Sequence, residues 1–413
     1  MKVLAALFLA LSMGAAQDGS AEEQDLSRAI AEAGSSPVEF VRAVEKHLLK
    51  YPQSTHKEEL ERALVKAAIE VKDEKRVVEY GERVLARDPD DVQLLDKVTR
   101  SLLATDAKET SARALKYARR YGELVATLRK QDPPARMGRG QWREEVDRGV
   151  GRALVLEARA LGNLGRVEEA IAAARKSWEE FPTAEGAREI GRWLARTGKE
   201  EEAVERIADA FAMADPRVTE AERLRDRTRM GELYAKLKGS EKGLGEIILA
   251  AYDRTAALLA ARRLRLKETD PNLHLTNPME FTLSGLGGGK LELASLKGKT
   301  VVFDFWATWC GPCRAQYPLY EQVKVRFRDN AEVVFLSVNT DEDREAVGPF
   351  LKSQKWEVKV WFEDGLSRAL QISSIPTTIV VDRRGQVVSR MNGYVPDRFV
   401  DMLSERIRET LAN

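Results

Sequence analysis

The sequence predicts two domains of different class, an all-α region built from helix pairs and then an α/β domain, and three observations carry that prediction. From Ala21 to Lys267 apolar residues recur at helical spacing, in a composition rich in Ala, Leu, Glu, Arg and Lys that offers no convincing strand. Beyond residue 278 the pattern changes to short β-branched and aromatic runs alternating with helical segments. Between them, Asp270-Pro271 and Asn277-Pro278 stop the helical pattern, which places a linker at 268–277 and the second domain at 278–413. With 413 residues, 43% of them apolar, the chain is long enough to give each domain its own core. Lys and Arg number 67 against 66 Asp and Glu, so no charge excess argues for nucleic acid or an anionic membrane surface.

The chain opens with Lys2, an apolar run from Val3 to Met13, the small residues Gly14, Ala15 and Ala16, and a polar stretch from Gln17. That order predicts a cleaved export signal over residues 1–16. The run is too short to span a bilayer comfortably, so a membrane anchor is the lesser alternative. Export would place the chain in an oxidising compartment such as the periplasm.

The helical region contains an internal repeat. Leu164-Gly165-Arg166-Val167-Glu168-Glu169-Ala170 recurs as Thr197-Gly198-Lys199-Glu200-Glu201-Glu202-Ala203, 33 residues later, and Pro182 and Pro216 close the two units 34 residues apart. These residues resemble the tetratricopeptide repeat, with a small residue ending one helix, an Ala where the paired helices approach, and a Pro before the next unit. Looser units are expected at 36–52, 74–91 and 222–265, the last turning at Gly239, and a loop at 131–140. The alternative is an irregular helical bundle. Either way the region reads as a protein-binding or spacing module, and Trp142, Trp178 and Trp193 are expected in cores.

In the second domain, Glu280 to Ser284 and Lys290 to Leu293 flank the Gly285 to Gly289 turn as a hairpin. Thr300 to Trp306 reads as a buried strand and Arg314 to Arg328 as a helix. A strand at 333–338, a helix at 343–355, a strand at 358–361 and a short helix at 365–370 follow. Strands at 377–381 and 386–390 flank the turn Asp382-Arg383-Arg384-Gly385, and a last helix follows Pro396. The expected result is a sheet with helices on both faces.

Trp309-Cys310-Gly311-Pro312-Cys313 lies at the strand-to-helix turn and holds both cysteines of the chain. A helix N-terminus offers unpaired N–H groups and partial positive charge, which favour a thiolate. Cys310 is expected to be the more exposed and acidic thiol and Cys313 the buried, resolving one, a pair suited to thiol–disulfide exchange. A zinc half-site and an inert bridge are the alternatives. Zinc in a structural site wants four ligands, and only His47, His56 and His274, all distant in sequence, are available. Asp304, in the middle of an apolar strand, is costly to bury without partners or a role as general base.

The run FDFWATWCGPCRAQYP, the hairpin leading into Leu293-Ala294-Ser295-Leu296-Lys297-Gly298-Lys299, and Ile375-Pro376-Thr377-Thr378 followed by VVDRRGQVV together resemble the thioredoxin fold, and among its branches the exported TlpA/ResA thiol-disulfide oxidoreductases. The hairpin is also similar to that of peroxiredoxins, which have a lone peroxidatic cysteine in place of this dithiol. The resemblance implies Cys310 as nucleophile, Cys313 as resolving thiol, Asp304 as the carboxylate that moves the Cys313 proton, and a cis Pro376 beside the disulfide. Trp309, Gly311, Pro312, Ile375 and Thr377 are the supporting residues. No cofactor beyond the dithiol is implied. Thioredoxins pair the carboxylate with a lysine of the following strand, which 333–338 lacks, and many TlpA/ResA relatives have a non-acidic residue at the position of Asp304, so this chain mixes two patterns.

With Pro312 before the second cysteine and no charged residue between the two, the couple is expected to be reducing, nearer to thioredoxin at about −270 mV than to DsbA at about −120 mV. The expectation is an exported reductase of client protein disulfides, recharged by a membrane thiol transporter of the DsbD type, with a protein partner or client on the helical repeats. The rivals are an interaction scaffold that uses the dithiol as a redox sensor and a thiol peroxidase.

Overall fold

The structure is a computed structural model that describes residues 21–131, 133–134 and 137–412. The expected export signal lies outside the described residues. Among those described, no helix is long and apolar enough to cross a membrane. The chain divides into two compact units, one taking residues up to 129 with 146–258, the other 130–145 with 259–413.

The first unit is helical throughout. Its elements are α1 (Ala21–Ala33), α2 (Pro37–Lys50), α3 (Lys57–Glu70), α4 (Glu74–Arg87), α5 (Val92–Leu102), α6 (Lys108–Thr127), α7 (Arg139–Asn163), α8 (Val167–Glu180), α9 (Ala184–Arg196), α10 (Glu200–Ala212), α11 (Glu220–Lys238) and α12 (Leu244–Thr269), with the first turns of α7 and the last of α12 belonging to the second unit. Side-chain caps start many of them: Ser36, Asp73, Asp91, Thr183 and Thr219 each accept a first-turn N–H.

The repeated heptapeptide makes the same turn twice. Gly165 and Gly198 take φ of +86° and +77°, and the residue after each donates its N–H five residues back, Arg166 to the Leu161 carbonyl and Lys199 to the Leu194 carbonyl. Ala170 and Ala203, one turn into the next helix, are fully buried. Trp193 is also fully buried and packs on Gly162, where an added Cβ would lie 2.2 Å from the indole. Trp142 and Trp178 are half-buried. At the expected third turn, Gly239 ends α11 with φ +78°.

The second unit is built on the sheet order β5-β4-β3-β6-β7. The hairpin β1 (Thr282–Ser284) and β2 (Lys290–Glu292) leads into β3 (Thr300–Trp306); α13 (Gly311–Arg326), β4 (Val333–Asn339), α14 (Val347–Gln354), β5 (Val360–Phe362), α15 (Leu366–Ala369), β6 (Thr377–Val381), β7 (Val387–Asn392) and α16 (Phe399–Ala412) follow. β3 is buried along its whole length, parallel to β4 and antiparallel to β6. One face buries Val302 and Val380 under Tyr320 and Val323 of α13 and Phe399, Leu403 and Ile407 of α16. The other buries Val301, Phe303 and Phe305 against Met279, Phe281, Leu283 and Leu366. This is the thioredoxin fold.

The stretch 268–277 is not an open tether. Asp270 is buried and accepts the Gly140 N–H at 2.7 Å, while Asn272 donates to the Thr282 and Asp364 carbonyls at 2.8 and 3.0 Å and accepts the Thr282 N–H at 2.7 Å. Proline punctuation predicts only that the helix stops; these side chains then tie the segment to the hairpin.

Gly162→Ala should lower stability by about 1–3 kcal/mol, because the methyl group must displace a fully buried indole. Gly165→Ala, with open space around the Cβ but a positive φ, should cost about 1 kcal/mol through backbone strain alone. Thermal unfolding followed by far-UV circular dichroism compares the two; an unchanged midpoint for Gly162→Ala would show that Trp193 can move aside.

Candidate active site

β3 ends at Trp306, and the turn that follows is held from β4. Trp306 Nε1 donates to Ser337 Oγ at 2.7 Å. Thr308 donates its N–H and its hydroxyl to the two carboxylate oxygens of Asp341 at 2.8 and 2.7 Å, and Asn339 Nδ2 donates to Asp341 at 2.7 Å. This bracket aims the chain into α13, for which Cys310 is the N-cap.

Cys310 and Cys313 form a disulfide, and the Cys313 N–H points at Cys310 Sγ at 3.1 Å. An N–H directed at that sulfur, at a helix N-terminus, favours its thiolate when the bond is opened. Gly311 and Pro312 occupy the exposed first turn, and Trp309 is 69% exposed beside them. The expected difference in exposure between the thiols is absent: each cysteine is 4% exposed. The reason is local packing. Both sulfurs join an apolar cluster with Trp306, Ala307, Val347 and Phe362, against which Leu286, Phe350, Trp356 and Ile375 also pack.

The Ile375–Pro376 peptide is cis, and Ile375 packs on the disulfide cluster. The Pro376 carbonyl accepts the Gly393 N–H at 2.8 Å, and Thr377 Oγ1 donates to the Ser374 carbonyl at 2.7 Å and lies 3.1 Å from Asn392 Oδ1. Among the described residues no hydrogen bond engages the backbone N–H or C=O of Ile375, which leaves both free for an extended chain.

Asp304 lies in the middle of β3, opposite Thr378 of β6. It is 6% exposed, and its Oδ1 accepts from Gln316 Nε2 at 3.0 Å and Thr378 Oγ1 at 3.2 Å. Burial pushes its carboxyl up to about 7, against the two hydrogen bonds that favour the ionised form. Local sequence pattern assigns neither Gln316 nor Thr378 a role at this carboxyl. The signal was there for Gln316, three residues after Cys313 and so on the same helix face; for Thr378 it required the β3–β6 register.

Among the described residues no group of three or more His, Cys, Asp or Glu could hold a metal ion. The arrangement as built is a dithiol at a helix N-terminus, an unpaired backbone edge beside it and a buried carboxyl on β3 that is bonded to Gln316, one turn beyond Cys313 on the same helix.

A family model described as Redoxin matches residues 275–405. Thiol-disulfide oxidoreductase ResA of Bacillus subtilis (strain 168) is 31% identical over 122 residues, covering 29% of this chain and 68% of that protein. The chain belongs to the ResA family of thiol-disulfide oxidoreductases. Another ResA, from Bacillus cereus, is 30% identical over 66% of its length, and Thioredoxin-like protein YneN of Bacillus subtilis is 32% identical over 65% of its length. The chain thus spans about two thirds of the length of these curated relatives. Among solved structures, a thiol:disulfide interchange protein of the thioredoxin family from Chlorobium tepidum TLS is 28% identical, with 32% of this chain and 92% of that chain covered and a TM-score of 0.28. The Redoxin match begins after the helical region, so the ResA-type part of this chain is its second unit.

Stability should carry the signature of Asp304. Its folded value lies above its ordinary 3.8, so its contribution is fully present below about pH 4 and is lost as pH rises to about 7. Three pKa units correspond to on the order of 4 kcal/mol. Asp304→Asn should remove that slope and make the oxidised protein the more stable of the two at pH 8, measured as the difference in urea midpoints at pH 4, 6 and 8. Parallel pH dependences for the two proteins would assign the slope to other groups.

Proposed function

We propose that the protein is an exported thiol-disulfide reductase that opens disulfides in client proteins through Cys310 and Cys313. The observation that carries the reading is the dithiol at the N-terminus of α13, with the Cys313 N–H directed at Cys310 Sγ and the unpaired Ile375 backbone alongside. A client segment would pair with Ile375, Cys310 would attack its disulfide, and Cys313 would resolve the mixed disulfide with Asp304 taking its proton. Pro312 between the cysteines adds no charge to stabilise the thiolate further, which supports a reducing couple. A reductase in an oxidising compartment needs electrons, and a membrane thiol transporter of the DsbD type would supply them.

The helical unit is assigned the role of holding a client or partner, as tetratricopeptide-like pairs. It contains a cavity of about 500 Å³ whose lining includes Arg148, Arg152 and Arg159 along one face of α7, with Arg100 and Arg188 from neighbouring helices. Like charges four residues apart disfavour an isolated helix, and Asp96 faces both Arg100 and Arg152, at 3.1 and 3.7 Å. The lining also carries Glu185, Asp215, Glu222 and Asp226, and Arg188 pairs with Asp226 at 2.7 Å and Arg159 with Glu189 at 2.7 Å, so the cavity presents charges of both signs to a partner.

Equilibration in dithiothreitol or glutathione buffers, with mass readout of the two thiols, should give a reduction potential below about −200 mV; a value above about −150 mV would make the protein a disulfide donor instead. Cys310→Ser should abolish client reduction, and Cys313→Ser should accumulate the mixed disulfide. If the biological effect survives Cys310→Ser and is lost on deleting 22–266, the scaffold reading replaces the enzyme.

Export is proposed from the residue pattern of 1–16. Mass spectrometry of protein recovered from the envelope should find an N-terminus near Gln17, and an intact Met1 would overturn the cleavage.

A further inference from the structure

Gln316 sits one helical turn beyond Cys313, is 1% exposed, and turns its amide toward Asp304. Its Nε2 donates to Asp304 Oδ1 at 3.0 Å and lies 3.4 Å from Thr378 Oγ1, which donates to the same oxygen at 3.2 Å. The other end of the amide, Oε1, is buried and accepts no hydrogen bond. An orphaned buried acceptor is destabilising, and methionine would fill a similar volume without leaving one. Packing alone therefore does not account for an amide here.

A carboxyl group asks for different partners in its two protonation states. Ionised, it only accepts hydrogen bonds; protonated, it also donates one. A lysine would serve the first state alone and a carbonyl the second. A side-chain amide serves both by a half-turn about its terminal torsion, which is broad and roughly two-fold. Nε2 then faces the carboxylate, and Oε1 faces the acid. The Thr378 hydroxyl can follow by rotating.

We propose that Gln316 is a positioning residue for the resolving step, its amide turning over with the protonation state of Asp304 so that this carboxyl can take and release the Cys313 proton without losing its partner. The proposal rests on the reading of Asp304 as the base for Cys313. With a client sulfur bound to Cys310 as a mixed disulfide, Asp304 takes the proton of the Cys313 thiol. The Cys313 thiolate attacks Cys310 Sγ, the Cys310–Cys313 bond forms and the Cys310–client bond breaks. The client sulfur leaves with that electron pair and is protonated from solvent. Over the cycle the dithiol gives up two electrons and the client disulfide takes them. Asp304, now donating to Gln316 Oε1, returns its proton to solvent and the amide turns back.

Apart from the Thr378 hydroxyl, which can also donate or accept, the groups around Asp304 cannot take the place of the amide. Glu321 raises its proton affinity and Lys324 lowers it, and these two pair with each other at 2.7 Å. Tyr320 is held neutral by burial. Ser337 of β4 stands opposite Asp304 in register but accepts from Trp306, and α16 presents Phe399, Leu403 and Ile407 to this face.

The test uses the reduced full-length protein and 5,5′-dithiobis(2-nitrobenzoate). The first thionitrobenzoate released reports attack by Cys310, and the second reports resolution by Cys313. In Gln316→Met the ionised carboxyl loses a donor, so the pH midpoint of the second phase should rise by about one unit, slowing that phase about tenfold relative to the first below the midpoint. Gln316→Glu, which adds a second carboxyl, should shift it further. In the unmodified protein the side-chain amide resonances of Gln316 should titrate with the midpoint of the second phase, a readout that needs no variant to fold. An unmoved midpoint in Gln316→Met, or amide resonances that do not titrate, overturns the proposal. If Asp304→Asn also leaves the second phase unchanged, the failure lies in the Asp304 reading itself.

Discussion

The C-terminal unit depends on β3 being paired on both edges and covered on both faces. Parallel pairing to β4 and antiparallel pairing to β6 leave no edge for the strand to slip along, since a one-residue shift would turn its whole side-chain set to the wrong face. That fixes the point at which the chain leaves the sheet. The bracket formed by Asp341 and Ser337 on Thr308 and Trp306 then carries the position of β4 into the turn before Cys310. The first turn of α13 and its sulfur-directed N–H follow from where β3 stops.

The same constraint makes Asp304 unusual. A polar residue in a strand buried on both faces has no water to turn to, so its partners must come from the elements packed over it, Gln316 from α13 and Thr378 from β6. Two neutral donors offset part of the desolvation cost without a counter-charge, and burial remains the larger effect, holding the carboxyl near neutrality. The strand 333–338 supplies no lysine, so the hydrogen-bond partners of this carboxyl are neutral and burial decides the direction of its shift.

The helical unit obeys a different rule. Its helices approach closely only where small residues allow it, as at Gly162 under Trp193 and at Ala170 and Ala203. Its surfaces are laced with arginine–carboxylate pairs between helices, such as Arg175 with Glu202 and Arg113 with Glu82. Exposed pairs of this kind contribute little each, so the apolar stripe sets the stability and the charges mainly favour one register of neighbours.

Local pattern by itself determined a good deal: the class of both regions, the strand at 300–306 and the strand at 377–381, the two matching turns at Gly165 and Gly198, and the dithiol at the start of a helix. These are properties of a few consecutive residues, set by side-chain period, φ preference and cap chemistry. Tertiary structure alone decided the rest. Cys310 is as buried as Cys313 because residues from 286, 350, 356 and 375 converge on the disulfide, and no local pattern contains that convergence. The segment 268–277 is tied down because Asp270 and Asn272 find backbone groups distant in sequence. Asp304 has its partners because β6 pairs beside β3 in one register and α13 packs above both. A buried polar group is satisfied by whatever the fold brings to it, and that depends on contacts the linear order of residues does not display.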